Sequence, residues 1–260
     1  MAIRYLTERM LKLEDGTLPH TGIKPGDVAP LVITSGNPKR VERMKDHLTD
    51  PKVFGAERGA VVITGKYKDT LVTLASTGMG CPSLAMHVEE LAFAGGKVFI
   101  RAGSCASLQE DINLGDLIIA TGAVRDEGTS PYYAPDIYPA VADPDVVEAL
   151  RRSAEACDVD YRIGIIRSTD SFYEGERKTE IIELWQRLNV LAFEMESSAL
   201  FTISNVLGLK SGSVLVPGSN LITQHSTYQG MDIEMYQKGV QDMSLVALEA
   251  MRLLASKNIV

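Results

Sequence analysis

The sequence predicts an α/β domain with a mostly parallel sheet covered by helices, and three observations carry that prediction. Short runs rich in Val, Ile and Leu alternate with stretches of helical periodicity, the pattern of buried strands joined by crossover helices. The chain has 260 residues, 45% hydrophobic and 23% charged, enough to bury one large core. No internal repeat, low-complexity tract or Gly/Ser linker divides it, so residues 1–260 are expected to form a single domain.

Strands are expected near 30–35, 60–65, 70–76, 97–101, 115–123, 161–168, 190–194 and 211–216. Helices fit near 38–48, 82–94, 144–156, 178–188, 196–207 and 233–255, where apolar residues recur at three- and four-residue spacing. Ser83, and Asp143 followed by Pro144, supply start signals for two of them. In the last helix Met235, Val240, Met243, Val246, Ala247, Ala250 and Leu254 share one apolar stripe. The stretch from Arg125 to Val141, with Gly128, prolines and tyrosines, reads as an ordered functional or interface loop.

A net charge of −8 argues against a nucleic-acid or anionic-membrane surface, while leaving room for a local arginine cluster that holds a small anion. The first residues lack the apolar core of a signal peptide, and no stretch approaches the length needed to span a bilayer, so a cytoplasmic protein is expected. Cys81, Cys105 and Cys157 are widely spaced, which gives neither a disulfide framework nor a zinc signature. His47, His87 and His225 form no metal-ligand grouping, and no metal site is expected.

Anion chemistry is legible in three strand ends. Arg101-Ala-Gly-Ser-Cys105 follows the apolar run Gly-Lys-Val-Phe-Ile, so an arginine is expected where a buried strand opens into a loop of small residues. A guanidinium offers a fork of donors matched to phosphate oxygens, and small residues let backbone N–H groups come close. Leu31–Arg40 and Leu71–Gly80 repeat this grammar of strand and tight turn. Glu194-Met195-Glu196 closes another apolar strand, and its two carboxylates share one face while the backbone stays extended. A bare Glu-x-Glu at that place reads first as capping, acids being favoured at the start of the helix that follows.

Taken together, Ser-Gly-Asn-Pro-Lys-Arg-Val (35–41), Ser-Thr-Gly-Met-Gly-Cys-Pro-Ser (76–83), Arg-Ala-Gly-Ser-Cys-Ala (101–106), Ala-Val-Arg-Asp-Glu-Gly-Thr-Ser (123–130), Thr-Asp-Ser-Phe-Tyr (169–173) and Phe-Glu-Met-Glu-Ser (193–197) resemble the hexameric class of nucleoside phosphorylases, most closely the uridine phosphorylase branch. The resemblance runs from about His20 to the final helix, leaving residues 1–19 as an N-terminal extension. It implies one nucleoside phosphorylase-like α/β domain with a distorted central sheet. It also implies a homohexamer, a trimer of dimers whose active sites borrow residues from a neighbouring subunit, with inorganic phosphate as co-substrate and no cofactor.

Phosphorolysis needs an anion beneath the anomeric carbon, a stabilised oxocarbenium-like sugar and a way to accept charge on the departing base. By resemblance Gly36, Arg40, Arg101 and Ser104 bind phosphate, and Arg58 is the arginine supplied by the adjacent subunit. Glu196 takes the ribose hydroxyls, Met195 packs on the sugar, Glu194 supports the pocket, and His20 reaches a neighbour's site to meet the 5′-hydroxyl. Phe172 stacks on the base. Glu176 and Lys178 stand where the uridine branch has glutamine and arginine, and Leu221 stands where it has a second arginine. Arg101, Glu196 and Asn220, the last matching an asparagine of that branch, are the expected catalytic residues. Ser219 occupies the place of the aspartate that serves purine N7, so the base leaves as an anion held by neutral or cationic donors, which suits uracil better than an unprotonated purine. A purine phosphorylase, a nucleosidase and a non-catalytic nucleoside-binding protein of the same fold are the alternatives. A dinucleotide-binding protein is disfavoured because Gly78-Met-Gly80-Cys-Pro-Ser83 lacks the third glycine of that fingerprint.

Overall fold

Two apolar layers enclose a mixed sheet, and the path of its strands sets where the chemistry lies. The structure is a computed structural model that describes residues 10–55, 58–173 and 175–257. Its strands are β1 (Leu31–Ser35), β2 (Thr49–Gly55), β3 (Val61–Tyr67), β4 (Thr70–Ser76), β5 (Val98–Ser107), β6 (Leu117–Asp126), β7 (Ala140–Val141), β8 (Tyr161–Thr169), β9 (Ala192–Glu194) and β10 (Lys210–Asn220). The helices are α1 (Pro38–Met44), α2 (Cys81–Ala94), α3 (Pro144–Ala156), α4 (Lys178–Arg187), α5 (Ser197–Leu207) and α6 (Ile233–Ser256). The first nine residues of the expected N-terminal extension lie outside the described residues.

The sheet runs β10-β6-β8-β9-β5-β1-β4-β3-β2, and β10 also pairs with β5. That extra pairing closes β5, β10, β6, β8 and β9 into a ring, with β1, β4, β3 and β2 continuing outward from it. The centre is parallel, with β5 between β1 and β10 and β8 between β6 and β9, whereas β2–β3, β3–β4, β5–β9 and β6–β10 run antiparallel. This is the mixed α/β sheet, with the distortion that the family resemblance implies.

Alternation along β5 divides the interior. Phe99 and Cys105 join the layer under α2 and α5, while Val98, Ile100 and Ala102 join the layer under α1, α3 and α6. Pairing of β5 with β1 ends at Arg101, opposite Thr34, and pairing with β9 begins only at Ala106. Between those points β5 has lost one neighbour and not yet met the next. Such partings at strand ends are where open α/β sheets hold ligands.

Several expectations need correction. Arg101 does not end its strand: β5 continues through Ser104 to Ser107, because β10 pairs with it along its whole length. The helix expected at 38–48 is α1 followed by a 3-10 turn at Lys45–His47. Helix α2 begins at Cys81, and Ser83 does not cap it; its hydroxyl donates to the Thr77 carbonyl at 2.5 Å. Asp143 caps α3 as expected, accepting from Asp145 N. Strand β2 was not predicted. It is an edge strand, exposed almost throughout and containing Pro51, so it carries no apolar alternation to read. The expected loop from Arg125 contains the end of β6, a 3-10 turn and β7, tied together by Arg125, which donates to the carbonyls of Ala134, Pro135 and Tyr138.

Candidate active site

Three strand ends and one helix converge on the parting in β5. Strand β1 runs into Gly36, where a Cβ would sit 2.8 Å from the Gly78 carbonyl; the turns after β1 and β4 touch backbone to backbone and leave room only for glycine there. Asn37 then caps α1 by accepting from Lys39 N at 2.9 Å, which turns Arg40 inward from the first helical turn.

Arg40 is buried. Its Nη1 donates to Ser35 Oγ at 3.2 Å and to the Ala102 carbonyl at 3.1 Å, in the gap where β1 leaves β5, and its Nη2 donates to Ser104 Oγ at 2.6 Å. Burial and the nearby charge of Arg101 lower its pKa from the ordinary arginine value, with the Tyr236 phenol acting the other way.

Arg101 lies on the other face of β5, folded across Gly103: a Cβ there would stand 2.7 Å from its Cζ. Its Nε donates to Glu194 Oε2 at 2.9 Å and its Nη2 contacts Glu196 Oε2. Burial opposes the charge on Arg101, but Glu196 and Glu194 outweigh it and raise the guanidinium's pKa. One buried cation thus faces two buried carboxylates.

Those carboxylates have different work. Glu194 accepts from Ser168 Oγ, Glu196 N (3.0 Å), Ser197 N (3.0 Å) and Ser197 Oγ (3.0 Å) as well as from Arg101. It holds the start of α5 against β8, so the capping alternative describes Glu194. Glu196 instead accepts from Gly80 N at 2.6 Å, joining the turn after β4 to Arg101. Burial raises the pKa of its carboxyl, with Arg101 pulling down and Glu194 pushing up. Met195, half-buried between them, offers its carbonyl to Cys81 Sγ at 3.2 Å.

The structure therefore gathers two groups about the parting of β5, Arg40 with Ser104 beside the Gly36 turn on one face and Arg101 with Glu194, Met195 and Glu196 on the other, and sets the remaining expected residues apart. Arg58 is exposed on the turn after β2 and, among the described residues, makes no bond to Arg40 or Arg101. His20 is held by Glu90 of α2, which takes its ring Nδ1 at 2.6 Å together with the N–H and hydroxyl of Thr21. Phe172 is 59% exposed and meets Tyr173 and Tyr228 edge-on, which excludes core packing for it. Glu176 and Lys178 are exposed at the start of α4.

Asn220 is a correction. Both of its N–H donors are taken by the carbonyls of Gln109 and Ile112 at 2.9 Å, and its carbonyl accepts from Ile222 N and Thr223 N. With every position filled it has nothing to offer a leaving base. Two other residues escaped sequence reasoning. Tyr236 contacts Ser104 and Arg40; Arg167, paired with Asp126, lies over the rings of Phe193 and Trp185 in the small cluster that Leu221 joins. Nothing in sequence marks Arg167, because Asp126, Trp185 and Phe193 are all distant from it along the chain. Among the described residues no group of three or more His, Cys, Asp or Glu can hold a metal ion.

Residues 30–252 match the family model of the Phosphorylase superfamily. The chain belongs to the Phosphorylase superfamily. It is 38% identical to a uridine phosphorylase of Thermococcus kodakarensis, with 98% of this chain and 93% of the relative aligned. It is also 38% identical to one from Treponema pallidum, over 92% and 95% of the two chains. A guanosine phosphorylase of Halorubrum lacusprofundi is 37% identical over 85% of this chain and 90% of its own. The crystal structure of uridine phosphorylase from Vibrio fischeri superposes with a TM-score of 0.87 at 34% identity, covering 92% of this chain and 99% of that one. This superfamily member thus shares its fold along nearly its whole length with a solved phosphorylase.

Proposed function

We propose that this protein is a nucleoside phosphorylase, a pentosyltransferase that cleaves the N-glycosidic bond of a pyrimidine nucleoside with inorganic phosphate to release free base and ribose or deoxyribose 1-phosphate. The observation that supports this reading is that the buried Arg40–Ser104 and Arg101–Glu196 pairs flank the same stretch of β5, at the point where it parts from β1. Phosphate sits between Arg40, Arg101, Ser104 and the Gly36 turn. Glu196 accepts the ribose hydroxyls and Met195 packs on the sugar. A phosphate oxygen forms the new bond to the anomeric carbon as the bond to the base breaks; its electron pair leaves with the base, which takes a proton from solvent. Preorganised donors around the phosphate and the departing base supply most of the acceleration in such a site.

Phe172 stacks on the base, with Glu176 and Lys178 closing over it. The uridine phosphorylase relatives support a pyrimidine, while the guanosine phosphorylase relative keeps a purine as the second reading. Arg58 and His20, outside the cluster in their own chain, complete a neighbour's pocket in a homohexamer. Three unpaired cysteines accord with a reducing, cytoplasmic setting, and the chemistry needs no cofactor. No helix among the described residues is long and apolar enough to cross a membrane.

The test is base release from uridine, thymidine, inosine and adenosine, each with and without phosphate. Phosphate-dependent release of uracil or thymine is expected. Release of purines alone moves the assignment to the second reading, and release independent of phosphate overturns phosphorolysis.

A further inference from the structure

Tyr236 stands on the opening turns of α6 with its Oη 2.8 Å from Ser104 Oγ and 3.5 Å from Arg40 Nη2. Its place is fixed by backbone contact. A Cβ on Gly239 would fall 2.4 Å from the Gly115 carbonyl, and one on Gly115 would fall 2.6 Å from the Met235 carbonyl, so α6 docks on the turn before β6 with no side chain between. The ring lies against Gly218 of β10, where an added Cβ would meet Cε2 at 3.4 Å, and against the apolar layer beneath α6.

Donor accounting gives this phenol a task. Arg40 has only donors, so in its 2.6 Å contact Ser104 Oγ is the acceptor. If Ser104 directed its own proton at Tyr236, nothing would remain for an anion. If Tyr236 donates to Ser104 instead, both Ser104 lone pairs are occupied and its proton is left pointing out of the cluster. A hydroxyl that accepts from a cation and from a phenol is polarised and becomes a stronger donor. We propose that Tyr236 is a positioning residue of the phosphate seat, which acts through Ser104 by turning that hydroxyl toward the bound anion. This rests on the phosphorylase reading above, and it gives the start of α6 a part in recognising the co-substrate.

The test is steady-state kinetics of Tyr236→Phe, which removes the hydroxyl and keeps the ring, with Ser104→Ala and the double variant. In Tyr236→Phe the KM for phosphate is expected to rise about 5- to 10-fold, the effect of one lost hydrogen bond, with kcat and the nucleoside KM within about twofold. Ser104→Ala raises the phosphate KM as well, and adding Tyr236→Phe to it brings less than about a twofold further rise, because the phenol's 2.8 Å bond is to the serine while Arg40 lies at 3.5 Å, the limit of hydrogen-bond distance. An unchanged phosphate KM in Tyr236→Phe overturns the inference, as does a double variant in which the two losses multiply. A fall in melting temperature with phosphate KM intact assigns Tyr236 to holding α6 and overturns it equally. These results leave phosphorolysis standing, whereas wild-type turnover that ignores phosphate removes the functional reading and the inference together.

Discussion

At the level of single residues, the two carboxylates flanking Met195 separate cleanly. Glu196 touches Arg101 and Gly80 N–H, and in the proposed reaction it is the ionised carboxylate that accepts strongly from the ribose hydroxyls. Burial raises its pKa above the ordinary glutamate value of 4.5, so its charge is lost on acidification earlier than that of an exposed glutamate. The expected outcome is a kcat/KM that falls as pH drops through this raised pKa. Glu196→Gln should lower kcat/KM by roughly 10²-fold to 10³-fold and abolish that acidic limb. A pH–rate series on both proteins checks it. Glu194 behaves differently. Its oxygens receive Arg101, Ser168, Ser197 and the Glu196 N–H, so Glu194→Ala leaves a buried guanidinium and several donors short of an acceptor. Urea unfolding should show a loss of about 3–5 kcal/mol, the scale for breaking a buried ion pair. An unfolding curve matching wild type would show that α5 and β8 hold together without it.

Among elements, β10 and its following turn owe their position to Asn220, whose amide staples residues 109–112 to 222–223. Asn220→Ala is accordingly expected to lower the melting temperature while kcat changes less than about threefold, a loss confined to stability. A kcat reduced on the order of 100-fold with the melting temperature unchanged would return Asn220 to the chemistry. The elements carrying the proposed phosphate residues were legible in sequence because strand, small-residue turn and arginine lie within ten residues of one another, as in Leu31–Arg40. What could not be read was long-range. Sequence ended β5 at Arg101 because the small residues that follow lack apolar alternation, whereas pairing with β10 keeps them extended. Edge strand β2 has no buried face to announce it. Tyr236 fell one place after Met235, a residue assigned to the apolar stripe that is in fact 50% exposed, and its partner Ser104 lies 132 positions away.

At the scale of the whole molecule, the closed ring of β5, β10, β6, β8 and β9 supplies Arg101, Ser104 and Glu194, while the outer arm of β1 and β4 supplies Gly36, Gly78 and, through α1, Arg40. The site is the seam between these two parts. Both apolar layers run under both parts, since β1, β3, β4, β5, β6 and β10 each send residues to one layer and to the other. Strand β5 belongs to the ring and pairs with β1 of the arm, so it carries Arg101 on one face and meets Arg40 at the Ala102 carbonyl.

The interval from Ala102 to Cys105, where β5 has parted from β1 and has yet to reach β9, has a dynamic consequence. Peptide groups aimed into that interval lack the flanking ladder that shields Val98 to Ile100, so their protons should trade with deuterated solvent sooner. Saturating inorganic phosphate bridges the two banks and should slow that trade there, leaving the outer hairpin of β2 and β3 unaffected. The molecule would then be least rigid where its ligand belongs, and the ligand itself would serve as the missing rung.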